Sequence, residues 1–544
     1  MQPPEQPFSP FFGFATFITA LTLIAVVFTI SDTRYRFRIA VAPLPLILIS
    51  FWLSALIGFL VLLSDIWFSE RWAIPNYLQG QVLWQGLLGG IFLVLVFVWL
   101  YFAFLNPATF GRANARRYIS VLYQIIVRGD DGELPTIANE LGLSARKIID
   151  LCSVCQPSKR RKSPTVAAYA HDLLLLIGSR KLCKHIVASA PGTAILLFQR
   201  MSETQKYNLP VRQLATNLST EAIQNTDSIL YHEDEGYSSG LLGYIKPFSA
   251  AIYGDYRLVE GLGQNFGSPL DIDYKAVGSW NAAQLSAFCR VVLMTFTNYL
   301  TTGAWRTHSY SLARAFDSIQ KGFSDAYKLN DPQTPYFPSD ILSRLDVAVR
   351  FTKDAVDEIG KIDPLPRIGR LRQIVQNGTP RSHDIYDDLA DLMFQLVLAA
   401  SHVTAESDRS WAIQHNTVWT NLFRFTTRDK AWPIVQFKLR RLIFNEITDM
   451  PFLNYQSARV LGFALNVLGF GTWQGQDPAE QCLQKALLAW TKKNFLQRWN
   501  DNPEVAVSGL PAGLTFDAEG KRFVKTYAKG LEREAPKVYF ELSE

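Results

Sequence analysis

Polar positions are distributed very unevenly along the chain. Near the N-terminus they almost vanish from three stretches: FFGFATFITALTLIAVVFTI (11–30), the apolar part of IAVAPLPLILISFWLSALIGFLVLLS (42–64) and VLWQGLLGGIFLVLVFVWLYFAFL (82–105). None of the three contains Asp, Glu, Lys, Arg or His. Each has about 20 residues, enough to cross a hydrocarbon core ~30 Å thick as a helix. The first run lacks the basic n-region and small-residue cleavage site of a signal peptide. The expectation is three transmembrane helices. The lack of ionisable groups in them argues against an ion-coupled transporter.

The loops between these runs set an expected orientation. SDTRYRFR carries Arg34, Arg36 and Arg38 against Asp32, and Arg112, Arg116 and Arg117 follow the third run. The second loop carries Arg71 against Asp65 and Glu70. The positive-inside rule puts the first loop and everything after the third run in the cytoplasm. The N-terminus then lies outside, and the expected location is a bacterial inner (cytoplasmic) membrane.

After residue 106 the apolar positions recur every three or four residues, the period of amphipathic helices. ANARRYISVLYQIIV (113–127), TVAAYAHDLLLLIG (165–178), WNAAQLSAFCRVVLMTFTNYL (280–300), SDILSRLDVAVRFTKDAVDEIG (339–360), SHDIYDDLADLMFQLVLAASHV (382–403) and AEQCLQKALLAWTKKNFLQRW (479–499) all follow it. Residues 232–274, rich in Gly, Tyr and acidic side chains, read as loops with short elements. CQPSKRRKSP (155–164) reads as a linker. The expected fold class is mainly α: three N-terminal transmembrane helices, then a large multi-helix cytoplasmic domain with a loop-rich insertion. The expected divisions are an anchor (1–106), a juxtamembrane segment (107–157) and the helical domain (165–544).

ELPTIANELGLSARKIIDLC (133–152) resembles the helix-turn-helix of DNA-binding proteins. Ala138 takes the small position in the first helix and Gly142 the turn, and Ser144 can cap the second helix. The resemblance implies that Ser144, Arg146 and Lys147 face a DNA groove. A tight helical hairpin of any function wants the same residues.

Charge changes the picture little. The net charge of +6 lies wholly beyond residue 105, because the acidic and basic groups before it cancel. A mild basic excess suits a neighbour of anionic lipid or nucleic acid. Lys159, Arg160, Arg161 and Lys162 form the densest basic cluster and are candidates for either contact.

Candidate chemistry is sparse. Five scattered cysteines fit reduced thiols better than a disulfide framework. Cys152 and Cys155 have knuckle spacing, and with Cys183 and His185 they make a conceivable zinc set. Arg180 and His185 match the RxxxxH pattern of HEPN-type ribonucleases, a resemblance that implies phosphate and 2′-hydroxyl chemistry. Asp384, Asp387, Asp388 and Asp391 resemble the DDxxD of isoprenoid synthases, without a second acidic motif. An acidic first helical turn, with Ser382 as its cap, accounts for them as well. No phosphate loop, GxSxG elbow, HExxH or kinase set occurs. No cofactor is expected.

In the third run, Gly86 and Gly90 stand at GxxxG spacing, which lets two helix backbones approach closely. In layout the chain is similar to membrane effectors of bacterial defence and stress systems. The expectation is a membrane-anchored sensor-effector, more binding protein than enzyme. Its cytosolic part would bind a protein or small-molecule trigger, and its anchor would self-associate and act on the bilayer. The alternatives are a membrane-tethered DNA-binding regulator, a zinc enzyme and a ribonuclease.

Overall fold

A computed structural model describes residues 12–542 apart from 31, 71–80, 129–130, 154–164, 234–245, 265–266, 336, 367–374, 377–378, 381–383, 425–429, 449–453, 473–475 and 529–533. The fold is mainly helical. It divides into two compact units, Met1–Leu214 and Ala215–Glu544. The first unit holds both the apolar runs and the helices that follow them as far as Leu214.

In the first unit, α1 (Phe14–Ile30), α3 (Leu46–Ser69) and α4 (Gln81–Leu100, continued by a π turn at Tyr101–Leu105) pack together. Their shared core is Phe17, Ile57, Val61, Leu88 and Phe92. Gly58 lets α1 come close, since a Cβ there would meet the Phe17 ring at 2.5 Å. One end is stitched by polar groups: Phe14 N donates to Asp65 Oδ2 (2.8 Å) and Gln85 Nε2 to Asp65 Oδ1 (3.2 Å).

Two helices, Leu46–Ser69 and Val82–Leu105, are long and apolar enough to cross a membrane, where the sequence suggested three. The helix in the first run begins only at Phe14, held there by Asp65, and has 17 residues. At 1.5 Å per residue it is about 25 Å long, at the lower end of what crosses a ~30 Å core. Most of the surface of the two longer helices is exposed, with Phe51, Trp52, Leu83 and Leu93 more than half accessible. SDTRYRFR is also more than a loop: Thr33–Ala40 forms a helix, α2, capped by the Asp32 carboxylate.

Beyond the apolar runs, the first unit contains α5 (Ala115–Arg128), α6 (Leu134–Leu151), α7 (Val166–Ile177), α8 (Arg180–Ser189) and α9 (Pro191–Thr204). The helix-turn-helix reading fails here. Residues 134–151 are one unbroken helix, and Gly142 lies in its middle. Gly142 and Ala138 are small for another reason. They face α9, where Thr193 Oγ1 donates to Ala138 O (2.7 Å) and a Cβ on Gly142 would meet Thr193 Oγ1 at 3.0 Å. Close helix packing and a sharp turn select the same residues.

The second unit is a helical body around Ala282–Thr301, Asp340–Gly360, Ile385–Ser401, Ala431–Thr448 and Tyr455–Leu468. The caps explain where these helices start. Asn281 with Gln284, and Asp384 with Asp387, form reciprocal capping boxes. Within 232–274, the described part contains short helices at Pro247–Tyr253 and Tyr256–Gly263. Near the C-terminus, strands Leu514–Asp517, Arg522–Thr526 and Lys537–Glu541 form an antiparallel sheet in which Phe516 faces Phe523 and Val524 faces Tyr539. Phe523 packs on Phe495 of the helix Pro478–Asp501.

Candidate functional site: a polar clamp on the anchor

The densest polar construction in the first unit lies where α2, the end of α4 and α6 meet. Arg38 on α2 donates from Nε and Nη2 to the two Glu140 oxygens at 2.7 and 2.8 Å. Its Nη1 donates to the carbonyl of Ala103, inside the π turn, at 3.0 Å. Arg34 Nε adds a second cation 3.3 Å from Glu140. The Glu140 side chain is 5% exposed, and the carboxylate holds the Arg38 guanidinium charged, above its ordinary pKa. A bidentate arginine–carboxylate pair fixes orientation as well as distance.

The two carbonyls that follow α2 are held from the other side. Asn114 Nδ2 donates to Val41 O at 2.7 Å, and Arg117 donates to Ala42 O. These bonds satisfy groups that a helix C-terminus leaves open. Below them, Ser144 Oγ accepts from Phe110 N and from Tyr118 OH, each at 3.0 Å. The Phe37 and Phe110 rings both pack edge-on against Tyr118. Burial pushes the Tyr118 phenol well up, so it stays a donor.

Ser144, expected to face DNA, is therefore buried in this clamp. Arg146 and Lys147 are exposed on α6, and Lys147 donates to Thr109 Oγ1 at 2.8 Å. With no turn and no free Ser144, the segment 133–152 lacks the geometry of a reading head. The residues that form the clamp, Arg38, Glu140, Asn114 and Arg117, were missed as site residues. The signal was present, because Glu140 is the one charged side chain on the buried face of α6.

The other candidates are scattered. Lys159, Arg160, Arg161, Lys162 and Cys155 lie outside the described residues. Cys152 and Cys183 are buried free thiols, and Cys183 Sγ is 3.5 Å from Ile177 O. His185 lies 4.0 Å from Asp131, its pKa lowered mainly by burial. Among the described residues no group of three His, Cys, Asp or Glu is placed to hold a metal ion. Five residues of helix turn Arg180 and His185 to different sides, roughly 140° apart. Gly86 and Gly90 are exposed on α4, where an added Cβ would meet nothing within 4 Å.

The acidic run of the second unit resolves structurally. Asp384 caps the helix, Ser382 lying outside the described residues, and Asp387 accepts from the buried Lys438 at 2.5 Å. An internal ammonium thus stands where a divalent ion was conceivable. One further group is unusual. His415 stacks on Trp411 (4.2 Å between centroids), and Lys525 Nζ lies 4.7 Å from the Trp411 ring and 4.9 Å from the Tyr527 ring. Lys525 donates to Asn466 O and, being buried, has its pKa lowered to about 8. No family model, curated protein or solved structure matches the chain.

Proposed function

We propose that the chain is a membrane-anchored sensor-effector. Its helical part takes up a protein or small-molecule trigger, and its anchor acts by self-association, disturbing the bilayer in bacterial defence or stress. The observation that carries this reading is the Arg38–Glu140–Ala103 clamp. One guanidinium joins the helix between two apolar runs, the end of the third run and α6. A change in α6 is therefore felt by α2 and α4 together.

Two further points support the membrane setting. A core helix of a soluble protein hides its apolar surface, whereas α3 and α4 leave most of theirs open. The arginines of α2 and α5 flank the ends of these helices, as the positive-inside rule expects of a cytoplasmic face. On this reading α1 completes a three-helix anchor with its N-terminus outside. Gly86 and Gly90, open on α4, are the proposed contact between copies.

The test is disulfide cross-linking in intact membranes of full-length protein carrying Gly86→Cys, a position with room for the side chain. Self-association predicts a cross-linked dimer that Gly90→Leu abolishes. A protein that stays monomeric in membranes and in mild detergent, with and without stress of the host cell, overturns the reading.

A further inference from the structure

A groove of about 730 Å³ runs between α1, α3 and α4. That volume lies in the ~300–1,000 Å³ range of pockets that enclose small ligands. Along α3 its lining extends from Ile47 to Phe59, about 18 Å of helix axis at 1.5 Å per residue. The groove is therefore long and lined almost wholly by apolar side chains. At one end it reaches Ile47, Ser50, Trp99 and Leu100. Trp99 also packs against the cluster of Ile39, Ala42, Leu46 and Ala103, which carries the end of α2. The groove thus ends at the level of the clamp.

The end near α2 is basic. Asn114 and Arg117 hold the carbonyls of Val41 and Ala42, so the stretch of chain that carries Arg112, Arg116 and Arg117 meets the end of α2, which carries Arg34, Arg36 and Arg38. Glu140 engages Arg34 and Arg38, and Arg117 is spent on Ala42 O. Arg36, Arg112 and Arg116 are exposed, with no ion pair among the described residues. Ser50 Oγ, also at this end, is buried without a hydrogen-bond partner among the described residues. A long apolar slot, a hydroxyl at its mouth and unpaired cations beyond the mouth match one chemistry in order: acyl chain, ester and anionic headgroup.

We propose that this groove binds an anionic glycerophospholipid of the bilayer. Its chain lies along α3 and its headgroup is held by Arg36 with Arg112 and Arg116. The inference rests on the membrane setting proposed above. Basic pockets at the cytoplasmic ends of membrane helices are suited to such headgroups. The lipid would lie against Trp99, and so against the helix that carries Arg38.

The test uses full-length protein reconstituted into vesicles of equal phosphatidylglycerol and phosphatidylcholine with identical chains. The protein is re-extracted in mild detergent, and retained lipid is counted by native mass spectrometry. Wild type is expected to retain one lipid per chain, with phosphatidylglycerol enriched several-fold. Arg36→Glu with Arg112→Glu, both exposed, should bring the enrichment close to one. Ala55→Phe, which fills the groove, should lower retention of both lipids; Ser54→Leu is the milder second variant if Ala55→Phe does not fold. Equal retention of the two headgroups by wild type overturns the proposal. So does unchanged retention in a folded groove-filling variant. Loss of the Gly86→Cys cross-link in a folded groove-filling variant that retains lipid as wild type does would assign the groove to a second copy instead. Release of the protein from membranes by alkaline carbonate would mean that the membrane reading itself had failed.

Discussion

Helix α4 and the helix Ala282–Thr301 are both 20 residues long. The first is apolar on every side, yet Leu83, Leu87, Leu93, Val94 and Phe97 stand open. The second carries Asn281 at its cap and Gln284 and Arg290 along its length, yet Leu285, Phe288, Val292 and Phe296 are sealed from solvent. In water the more apolar helix should be the better buried one. The inversion is what the proposed membrane setting of α3 and α4 requires, and it teaches that composition alone does not say which helix is buried. The second unit is held by apolar burial. In the first unit α5–α9 are packed in the same way, with Leu122, Ile137, Leu173 and Leu197 sealed, whereas α1, α3 and α4 leave most of their apolar surface open and are tied by polar groups at their ends.

The largest effect should separate the units by substituting the same residue type. Trp419 in the second unit is fully buried, and its indole donates to Glu480 at 3.1 Å; Trp52 on α3 is 65% exposed. Trp419→Ala should cost about 4 kcal/mol, in the range for emptying a large core site. Trp52→Ala should leave thermal unfolding in detergent nearly unchanged. Equal losses in the two variants would break the comparison.

Next comes the clamp. Glu140→Gln leaves the Arg38 guanidinium without its carboxylate and should cost about 3 kcal/mol, as when one partner of a buried pair is removed. The swap of Arg38→Glu with Glu140→Arg should recover part of that loss. A Glu140→Gln protein with an unshifted denaturation midpoint would show that polar ties do not hold the first unit.

A smaller effect concerns pH in the second unit. The Lys525 ammonium has a folded pKa of about 8, below its unfolded value, so between the two the unfolded chain binds more protons. Stability from this group is therefore fully present above the unfolded value and is lost as pH falls through about 8. Wild type should gain on Lys525→Met in melting temperature between pH 7.5 and pH 10; the window follows from the shift. Parallel curves would remove the argument. The smallest effect is local: Ser309 caps its helix through Leu312 N, and Ser309→Ala should cost about 1 kcal/mol.

The helices of the second unit were legible because their pattern is local. The apolar period over 339–360 falls on the helix Asp340–Gly360. The C-terminal sheet was not legible, and the reason is chemical. In Arg522–Thr526 the buried positions are Phe523 and Lys525, so an ammonium occupies the inward face and hides the alternation. The segment 133–152 failed for a different reason. Ala138 and Gly142 satisfy both a turn and a close helix crossing, and only the presence of Thr193 opposite them decides which. The clamp was half visible, as a glutamate on an apolar face. Its partners Arg38 and Ala103 lie far away in sequence, where pattern does not reach.

The clamp also constrains how the sequence can drift. Both Glu140 oxygens are occupied by Arg38, and the third Arg38 nitrogen donates to a main-chain carbonyl that no side-chain mutation removes. A lineage that loses Glu140 leaves the Arg38 guanidinium without its carboxylate, and one that loses Arg38 leaves Glu140 with Arg34 alone, so single steps away should be selected against. Escape takes two coordinated changes, on segments 102 residues apart. Positions 38 and 140 should therefore be inherited as a pair, while Arg146 and other exposed residues of α6 vary freely.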